Sequence, residues 1–316
     1  MVARTAECRI ADGLEDLIGN TPLVRLHLEG AHPDVEVLAK LESVNPFSSS
    51  KDRSALHMMR GAEARGELVP GGTVVESTSG NTGVALAALA AARGYRCVIV
   101  LPDSAMPERI GLLRALGTEV VQTPSEDGFQ GAIDKAEEIN ARTAGSWYAR
   151  QHENDDNVLA HYETTGPEIW ADTAGTVDVL VAGVGTGGTL TGTARYLKER
   201  NPALEAVAVE PESSPVLSRG YGGLHRIPGL NGGFVAATTD RTLIDHVFTC
   251  SDEDAVRAAK SLAARQGLFV GVSSGAAVHG AARLARLPRY AGRTIVTVLP
   301  DTGERYVSLW NEGAAP

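Results

Sequence analysis

Two short loops of small and hydroxyl-bearing residues, together with one lysine, are the parts of this chain best suited to chemistry. The first loop, Glu76-Ser77-Thr78-Ser79-Gly80-Asn81-Thr82-Gly83, joins the apolar run Thr73–Glu76 to the Ala-rich stretch Val84–Ala92. Small residues let backbone N–H groups approach an anion, a helix N-terminus adds partial positive charge, and hydroxyls add donors. Ordinary helix capping needs one such residue, whereas five of Ser, Thr and Asn stand between Ser77 and Thr82. The second loop, Gly183-Val184-Gly185-Thr186-Gly187-Gly188-Thr189, follows the run Val177–Ala182 and opens the stretch Leu190–Glu199. The same physics makes it a phosphate cradle. It also meets Gly-x-Gly-x-x-Gly at Gly183, Gly185 and Gly188, and Glu210 ends the next strand, where a ribose-binding acid stands in a dinucleotide site. A nicotinamide-dependent oxidoreductase therefore stays open from this loop alone. Lys51 follows Ser48-Ser49-Ser50 at a predicted helix start. Nearby positive helix ends favour the neutral amine, the nucleophile that forms a Schiff base; the plain alternative is a solvated surface lysine. One amine, one phosphate cradle and one carboxylate cradle are together what pyridoxal phosphate and an amino acid require.

The elements that must position these loops are short apolar runs alternating with helical patterns. The runs Val35–Leu41, Thr73–Glu76, Cys97–Leu101, Glu119–Gln122, Ser146–Ala149, Val177–Ala182, Ala206–Val209 and Thr294–Leu299 predict strands. Most are rich in Val or Ile with little polar alternation, as strands covered on both faces are. Between them Asp52–Arg65, Gly83–Arg93, Glu108–Leu116, Gly131–Ala141, Leu190–Glu199 and Asp252–Arg265 predict helices. This alternation predicts an α/β fold with parallel sheets, and its two clusters predict two sheets, with a polar boundary near Gln151–Asn157. Ligands collect where such strands end and helices begin.

Composition removes other classes. The chain has 316 residues, 43% of them apolar, which suits one large domain or two ordinary ones. Its 29 basic and 39 acidic residues give a net charge of −10, without the basic footprint a nucleic-acid partner needs. No apolar run is long enough to span a bilayer, and the first residues carry no apolar signal core. Cys8, Cys97 and Cys250 are too scattered for a disulfide frame or a zinc knuckle, which places the protein in a reducing cytoplasm. Cys97 reads as a small buried hydrophobe. His152, Glu153, Asp155, Asp156 and His161 crowd together, but their spacing fits no zinc signature, and no metal site is expected.

Seven blocks, in order, carry a resemblance over almost the whole chain: Ile18–Leu23, Lys51-Asp52-Arg53, Thr78–Gly83, Thr164–Trp170, Gly183–Thr189, Gly271–Gly275 and Leu299–Tyr306. The chain resembles the cysteine synthase and cystathionine β-synthase family of fold-type-II pyridoxal-phosphate enzymes, and that match displaces the nicotinamide reading. The resemblance implies two three-layer α/β domains of the tryptophan synthase β-like kind, with pyridoxal 5'-phosphate in the cleft between them. It implies a smaller domain over residues 43–152, and a larger one formed by 1–42 with 153–316. It further implies that Lys51 holds the cofactor as an internal aldimine and then acts as base and acid at the substrate Cα. Gly185, Thr186, Gly187, Gly188 and Thr189 would bind the phosphate, Asn81 the cofactor 3′-oxygen, and Ser273 the pyridine nitrogen. Thr78, Ser79, Gly80, Asn81, Thr82 and Gln151 would hold the substrate carboxylate, and the Gly229 carbonyl the substrate amine. From the residues alone, Ser273 is also met by a helix cap before Ala276–Leu284, and Gln151 by a solvated loop amide.

The activity so implied is β-replacement on an activated L-serine, O-acetyl-L-serine foremost, through an α-aminoacrylate, with sulfide giving L-cysteine. A serine opposite the ring nitrogen cannot protonate it as an acid would, which favours β-elimination over transamination. A homodimer acting on a small amino acid and a small nucleophile, with no nucleic-acid or membrane partner, is expected. Departures from the family text leave the cofactor motifs intact and bear on the identity of the nucleophile and, less strongly, of the leaving group. They are Pro46-Phe47-Ser48-Ser49-Ser50 before the lysine, His152 where an aromatic is usual, Pro228 and Asn231 around Gly229, and Ser104–Ile110, which lacks the second arginine of the usual motif. They leave open O-phosphoserine as donor, an amine giving a diaminopropionate-type product, or homocysteine giving cystathionine. A non-catalytic metabolite-binding relative is the remaining alternative.

Overall fold

The computed structural model of the chain describes residues 10–311, so Cys8 lies outside the described residues. Four strands, β3 (Thr73–Ser77), β4 (Arg96–Pro102), β5 (Glu119–Thr123) and β6 (Ser146–Tyr148), form an all-parallel sheet in the order β5-β4-β3-β6. Six others form a second sheet: β1 (Leu23–Arg25), β2 (Glu36–Leu41), β7 (Val177–Gly183), β8 (Glu205–Pro211), β9 (His246–Cys250) and β10 (Thr294–Leu299). Its order is β1-β2-β10-β7-β8-β9, parallel throughout except for the edge strand β1. The first two strands of the chain thus belong to the sheet that the last strands complete.

Helices cover both faces of each sheet. They are α1 (Lys51–Arg65), α2 (Asn81–Arg93), α3 (Pro107–Ala115), α4 (Gly128–Arg142), α5 (Asp155–Ala160), α6 (Gly166–Asp172), α7 (Gly188–Arg200), α8 (Asp252–Gln266), α9 (Val272–Ala285) and the short α10 (Val307–Asn311). On the four-stranded sheet Val74, Ile99 and Leu101 pack with Met58, Met59 and Leu86 of α1 and α2, while Val75, Val98 and Val100 pack with Ala132 and Ala136 of α4. On the six-stranded sheet Val179, Val181, Val207 and Val209 face α8 and α9, and Leu180, Ala182, Ala206 and Ala208 face α6 and α7. Successive residues of one strand bury on opposite faces, which is why these strands read as unbroken apolar runs. Each sheet is the middle of three layers, as expected.

Two strands are absent from the sequence reading. β1 has only three residues, and β9 is an edge strand whose first four residues are half-buried, so neither shows a buried Val/Ile run. The predicted boundary Gln151–Asn157 is a loop only at its start. Asn154 caps α5, its side chain accepting from the Asp156 N–H at 3.0 Å, and α5, a π-helical turn at His161–Thr165 and α6 run on without a gap. Its first part, α5 and the π-helical turn, packs on α1 and α7, so its polarity does not mark a free linker.

The parallel sheets bring the functional segments together. β3 ends into Thr78–Gly80, β7 into Val184–Gly187, and β10 into Pro300-Asp301. The Ser50 N–H donates to the Pro300 carbonyl at 2.8 Å, and Ser49 bridges Asp301, so the start of α1 is pinned against the end of β10.

Candidate active site

Lys51 is the first residue of α1, half-buried, with its Nζ 3.5 Å from Ser50 Oγ. Burial lowers its pKa, against the opposing pull of Asp301, Glu42 and Asp52. The neutral amine is the form favoured by that desolvation. Two of these acids, Asp52 and Asp301, are themselves shifted toward neutrality. Burial pushes Asp52 up to about 7 even though it accepts from the Phe47 N–H (2.6 Å) and Ser49 Oγ (3.1 Å). Burial also raises Asp301, whose Oδ1 is buried without a hydrogen-bond partner.

Two residues on, Arg53 anchors the first turn of α1 in a buried ionic cluster. Its guanidinium donates to Glu42 (2.8 and 2.9 Å), Glu168 (2.6 and 2.8 Å) and Thr21 Oγ1 (3.0 Å). Lys40 Nζ lies 2.8 Å from Glu168, Asn45 donates to Glu42 at 2.9 Å, and Gly19 N–H donates to Asn45 at 2.8 Å. Three blocks of the sequence, Ile18–Leu23, Lys51–Arg53 and Thr164–Trp170, therefore meet in one cluster of two cations and three carboxylates, the third being Asp172, 3.4 Å from Lys40 Nζ. Burial alone would raise Glu42; the Arg53 charge and hydrogen bonds outweigh it and hold Glu42 below the ordinary carboxylate value. Sequence reasoning missed Lys40 and Glu42, whose only signal is a charge inside or just after an apolar strand.

The glycine loop is shaped by close approach. Gly187 has φ +85°, and a Cβ there would stand 2.0 Å from Thr239 Oγ1. A Cβ on Gly185 would stand 2.2 Å from the Gly229 carbonyl oxygen. The loop is held from behind: Asn157 Nδ2 donates to Thr186 Oγ1 at 3.0 Å, Thr238 Oγ1 to the Thr186 carbonyl, and Thr189 Oγ1 lies 3.1 Å from His161 Nε2. His161 is fully buried on the π-helical turn and also touches Ser54 Oγ at 3.3 Å; burial drives its pKa well below the ordinary value, so it is neutral. The open side of the loop lines one cavity with Lys51, Gly229 and Ser273. Ser273 lies inside the first turn of α9, whose N-cap is Gly271, so it is not the helix cap.

The first loop does not spend its hydroxyls on capping either. The N-cap of α2 is Gly80, with no side-chain cap. Thr78 Oγ1 accepts from the Gly80 N–H at 3.0 Å, Ser79 is exposed, and Thr82 Oγ1 donates to Gln151 Oε1 at 2.5 Å. Gln151 is buried, which rules out a solvated loop amide. Asn81 reaches across to the end of the chain: its Nδ2 donates to Asp301 Oδ2 at 2.7 Å, and its Oδ1 accepts from Arg305 and, at 3.3 Å, from Arg109. A second cavity, lined by Ser79, Asn81, Ser104, Arg109 and Tyr306, shares Gly229 with the first. Behind the loop Glu76 is buried, accepts from the Ser77 N–H (3.0 Å) and Gln151 N–H (3.3 Å), and is pushed up to about 8 by burial.

The residues that crowd together near Gln151 go separate ways. His152 joins the rings of Phe129 and Phe234, with centroids 5.4 and 5.3 Å away, and burial beside Lys51 lowers it to about 4. Asp156 pairs with Arg65 at 2.9 Å, and Glu153 lies 3.7 Å from Arg150. Cys97 is buried and pushed up to about 12 by desolvation, as a small hydrophobe should be. Glu210, the acid of the nicotinamide reading, is fully buried and accepts from the backbone N–H groups of Leu217 (2.7 Å) and Ser218 (3.0 Å), so it is not offered to a ribose.

A lysine amine with a lowered pKa, an anion cradle at the N-terminus of the 13-residue α7 and a hydroxyl facing the same cavity fit pyridoxal phosphate by donor set and by the close packing of the cradle. The arrangement defines an enzyme site built for a lysine-anchored, phosphate-bearing cofactor. The family model described as pyridoxal-phosphate dependent enzyme matches residues 14–301, and the chain belongs to that family. It is 46% identical over 300 residues to cysteine synthase A of Escherichia coli K12, covering 92% of each chain. Among solved structures it is similar to O-ureido-L-serine synthase, with a TM-score of 0.93 and 42% identity over 97% of each chain. It is also similar to cysteine synthase of Entamoeba histolytica, with a TM-score of 0.95 and 36% identity over 100% of this chain and 94% of that one.

Proposed function

We propose that the protein catalyses β-replacement on an activated L-serine, with O-acetyl-L-serine as donor and sulfide as nucleophile, giving L-cysteine. The observation that carries this reading is the lowered-pKa amine of Lys51, in one cavity with the glycine cradle and Ser273. Pyridoxal phosphate, when bound, supplies the electron sink for the bond broken at the substrate Cα. Lys51 holds the cofactor, and its neutral amine then accepts the Cα proton and returns it. Gly185, Thr186, Gly187, Gly188 and Thr189 take the phosphate at the start of α7. Ser273 gives the ring nitrogen a hydrogen bond without an acidic proton. Thr78, Ser79, Gly80, Asn81, Thr82 and Gln151 take the substrate carboxylate, and the Gly229 carbonyl takes the amine. For Asn81 this means exchanging its contacts with Asp301, Arg305 and Arg109 for new ones.

Among the described residues, 43–152 form the smaller domain and those of 1–42 and 153–316 the larger, so a substrate tied to both draws them together and excludes water. The working state we propose is a cytoplasmic homodimer, without nucleic acid or membrane; the acidic charge argues against nucleic acid, the free buried Cys97 and Cys250 support the compartment, and no helix among the described residues is long and apolar enough to cross a membrane. A second reading keeps the chemistry and changes the nucleophile to an amine or another thiol, or the donor to O-phosphoserine. The likeness to O-ureido-L-serine synthase and the position of His152 favour it. The test offers O-acetyl-L-serine with sulfide, an amine panel and homocysteine, and identifies products by mass spectrometry. Cysteine at the highest kcat/KM supports the first reading, another product the second, and no β-replaced product contradicts both.

A further inference from the structure

The second cavity has an uneven charge. Arg109 is its only charged lining residue, and it is 7% exposed. Its guanidinium has five N–H donors, yet the acceptors it meets are neutral: Asn81 Oδ1 at 3.3 Å and the side chain of Tyr306, whose ring centroid is 5.9 Å away. Arg305 converges on the same amide oxygen and on the Phe47 carbonyl. Among the described residues no carboxylate lies within the 4.0 Å ion-pair distance of either guanidinium. The acid behind them, Asp301, has its Oδ2 taken by Tyr306 OH and Asn81 Nδ2, and burial biases it toward the neutral form. Two largely desolvated cations satisfied by neutral oxygens leave a positive site that an oxyanion would complete with bidentate, charge-assisted bonds. Ser79 and Ser104 add hydroxyls to the same wall. Ile110, the next residue, packs toward the core of the four-stranded sheet.

The cavity adjoins the Lys51 cavity through Gly229, on the side of the carboxylate loop. We propose that it is an oxyanion subsite in which Arg109, supported by Arg305, receives a carboxylate or phosphate carried by a reactant beyond the reacting carbon. The inference rests on the β-replacement reading for its location beside the substrate, and it makes the second reactant or the leaving group an anion-bearing one. Asn81 is the latch: it holds both arginines until it turns to the bound cofactor and substrate.

The test uses the holoenzyme, whose phosphate cradle is filled, and inorganic phosphate as probe, measured by calorimetry. Wild type should bind phosphate, Arg109→Gln should weaken it about tenfold or more, and Arg109→Lys should keep part of the affinity. Absence of phosphate binding in the wild type, or equal affinity in wild type and Arg109→Gln, overturns the subsite. Two pairs then identify the source of the anion: mercaptoacetate against 2-mercaptoethanol as nucleophile, and O-phospho-L-serine against O-acetyl-L-serine as donor. The kcat/KM ratio within the relevant pair should fall about tenfold in Arg109→Gln, and unchanged ratios in both pairs overturn the proposal. A chain that makes no β-replaced product but loses phosphate affinity in Arg109→Gln would refute the function and leave the subsite standing.

Discussion

Replacing Glu42 by Gln should cost about 3–5 kcal/mol of stability, because it breaks one side of a fully buried charge pair while leaving the other in place. Glu42 and Arg53 are both 0% exposed at their side chains. The two carboxylate oxygens of Glu42 accept four donors: Thr21 Oγ1 at 2.7 Å, Asn45 Nδ2 at 2.9 Å, and Arg53 Nε and Nη2 at 2.8 and 2.9 Å. A Gln amide turns one oxygen into a donor facing two of them. It also leaves Arg53 with Glu168 as its carboxylate partner, and Lys40 with Glu168 and, at 3.4 Å, Asp172. Urea unfolding with saturating cofactor should show a lower midpoint at unchanged slope. Glu163→Gln, whose carboxylate is 52% exposed beside His57, should stay within about 0.5 kcal/mol of wild type. The pH dependence has a definite sign. Glu42 is held below the ordinary carboxylate value, so its contribution is full above the unfolded pKa of about 4.3 and is lost as pH falls through the folded one. The gap between wild type and Glu42→Gln should therefore close only in acid. A loss below about 1 kcal/mol at neutral pH would refute the claim that this cluster anchors the start of α1.

Gly187→Val should release cofactor on dialysis, since its Cβ meets Thr239 and the backbone sits at φ +85°; retention equal to wild type would place the cradle elsewhere. Ser79→Ala should weaken O-acetyl-L-serine binding roughly ten- to a hundredfold without cofactor loss, matching one charge-assisted hydrogen bond of about 1.5–3 kcal/mol; a spectral titration that closes like wild type would sink the carboxylate role. Glu76, raised to about 8, binds more protons folded than unfolded, so its contribution is full below pH about 4.3 and is lost as pH rises through 8. Urea midpoints of Glu76→Gln measured from pH 5 to 9 should accordingly decline less than those of wild type, and parallel declines would contradict the shift.

The legible parts of the fold were those where one strand buries both faces. The runs at Val177–Ala182 and Thr294–Leu299 announced a covered parallel sheet without any tertiary information. β9 was not legible because its half-buried edge position demands no continuous apolar run. At the site, both loops stood out because hydroxyl and glycine density exceeds what capping needs, and Lys51 acquired meaning only beside them. The ionic cluster was not legible: Lys40 with Glu42, Arg53 and Glu168 come from three separate segments, and nothing in their spacing pairs them. The link from Asn81 to Asp301, Arg305 and Arg109 was hidden for the same reason, since it joins residues up to 224 positions apart.

The central claim is that the amine of Lys51 carries the cofactor. Borohydride reduction of the purified holoenzyme, followed by proteolysis and peptide mass spectrometry, tests it directly. The account predicts a pyridoxyl group on the peptide containing Lys51, and no label in Lys51→Ala protein that unfolds in urea like wild type. Label on Lys40, Lys135, Lys198 or Lys260, or unchanged labelling of the variant, would contradict it.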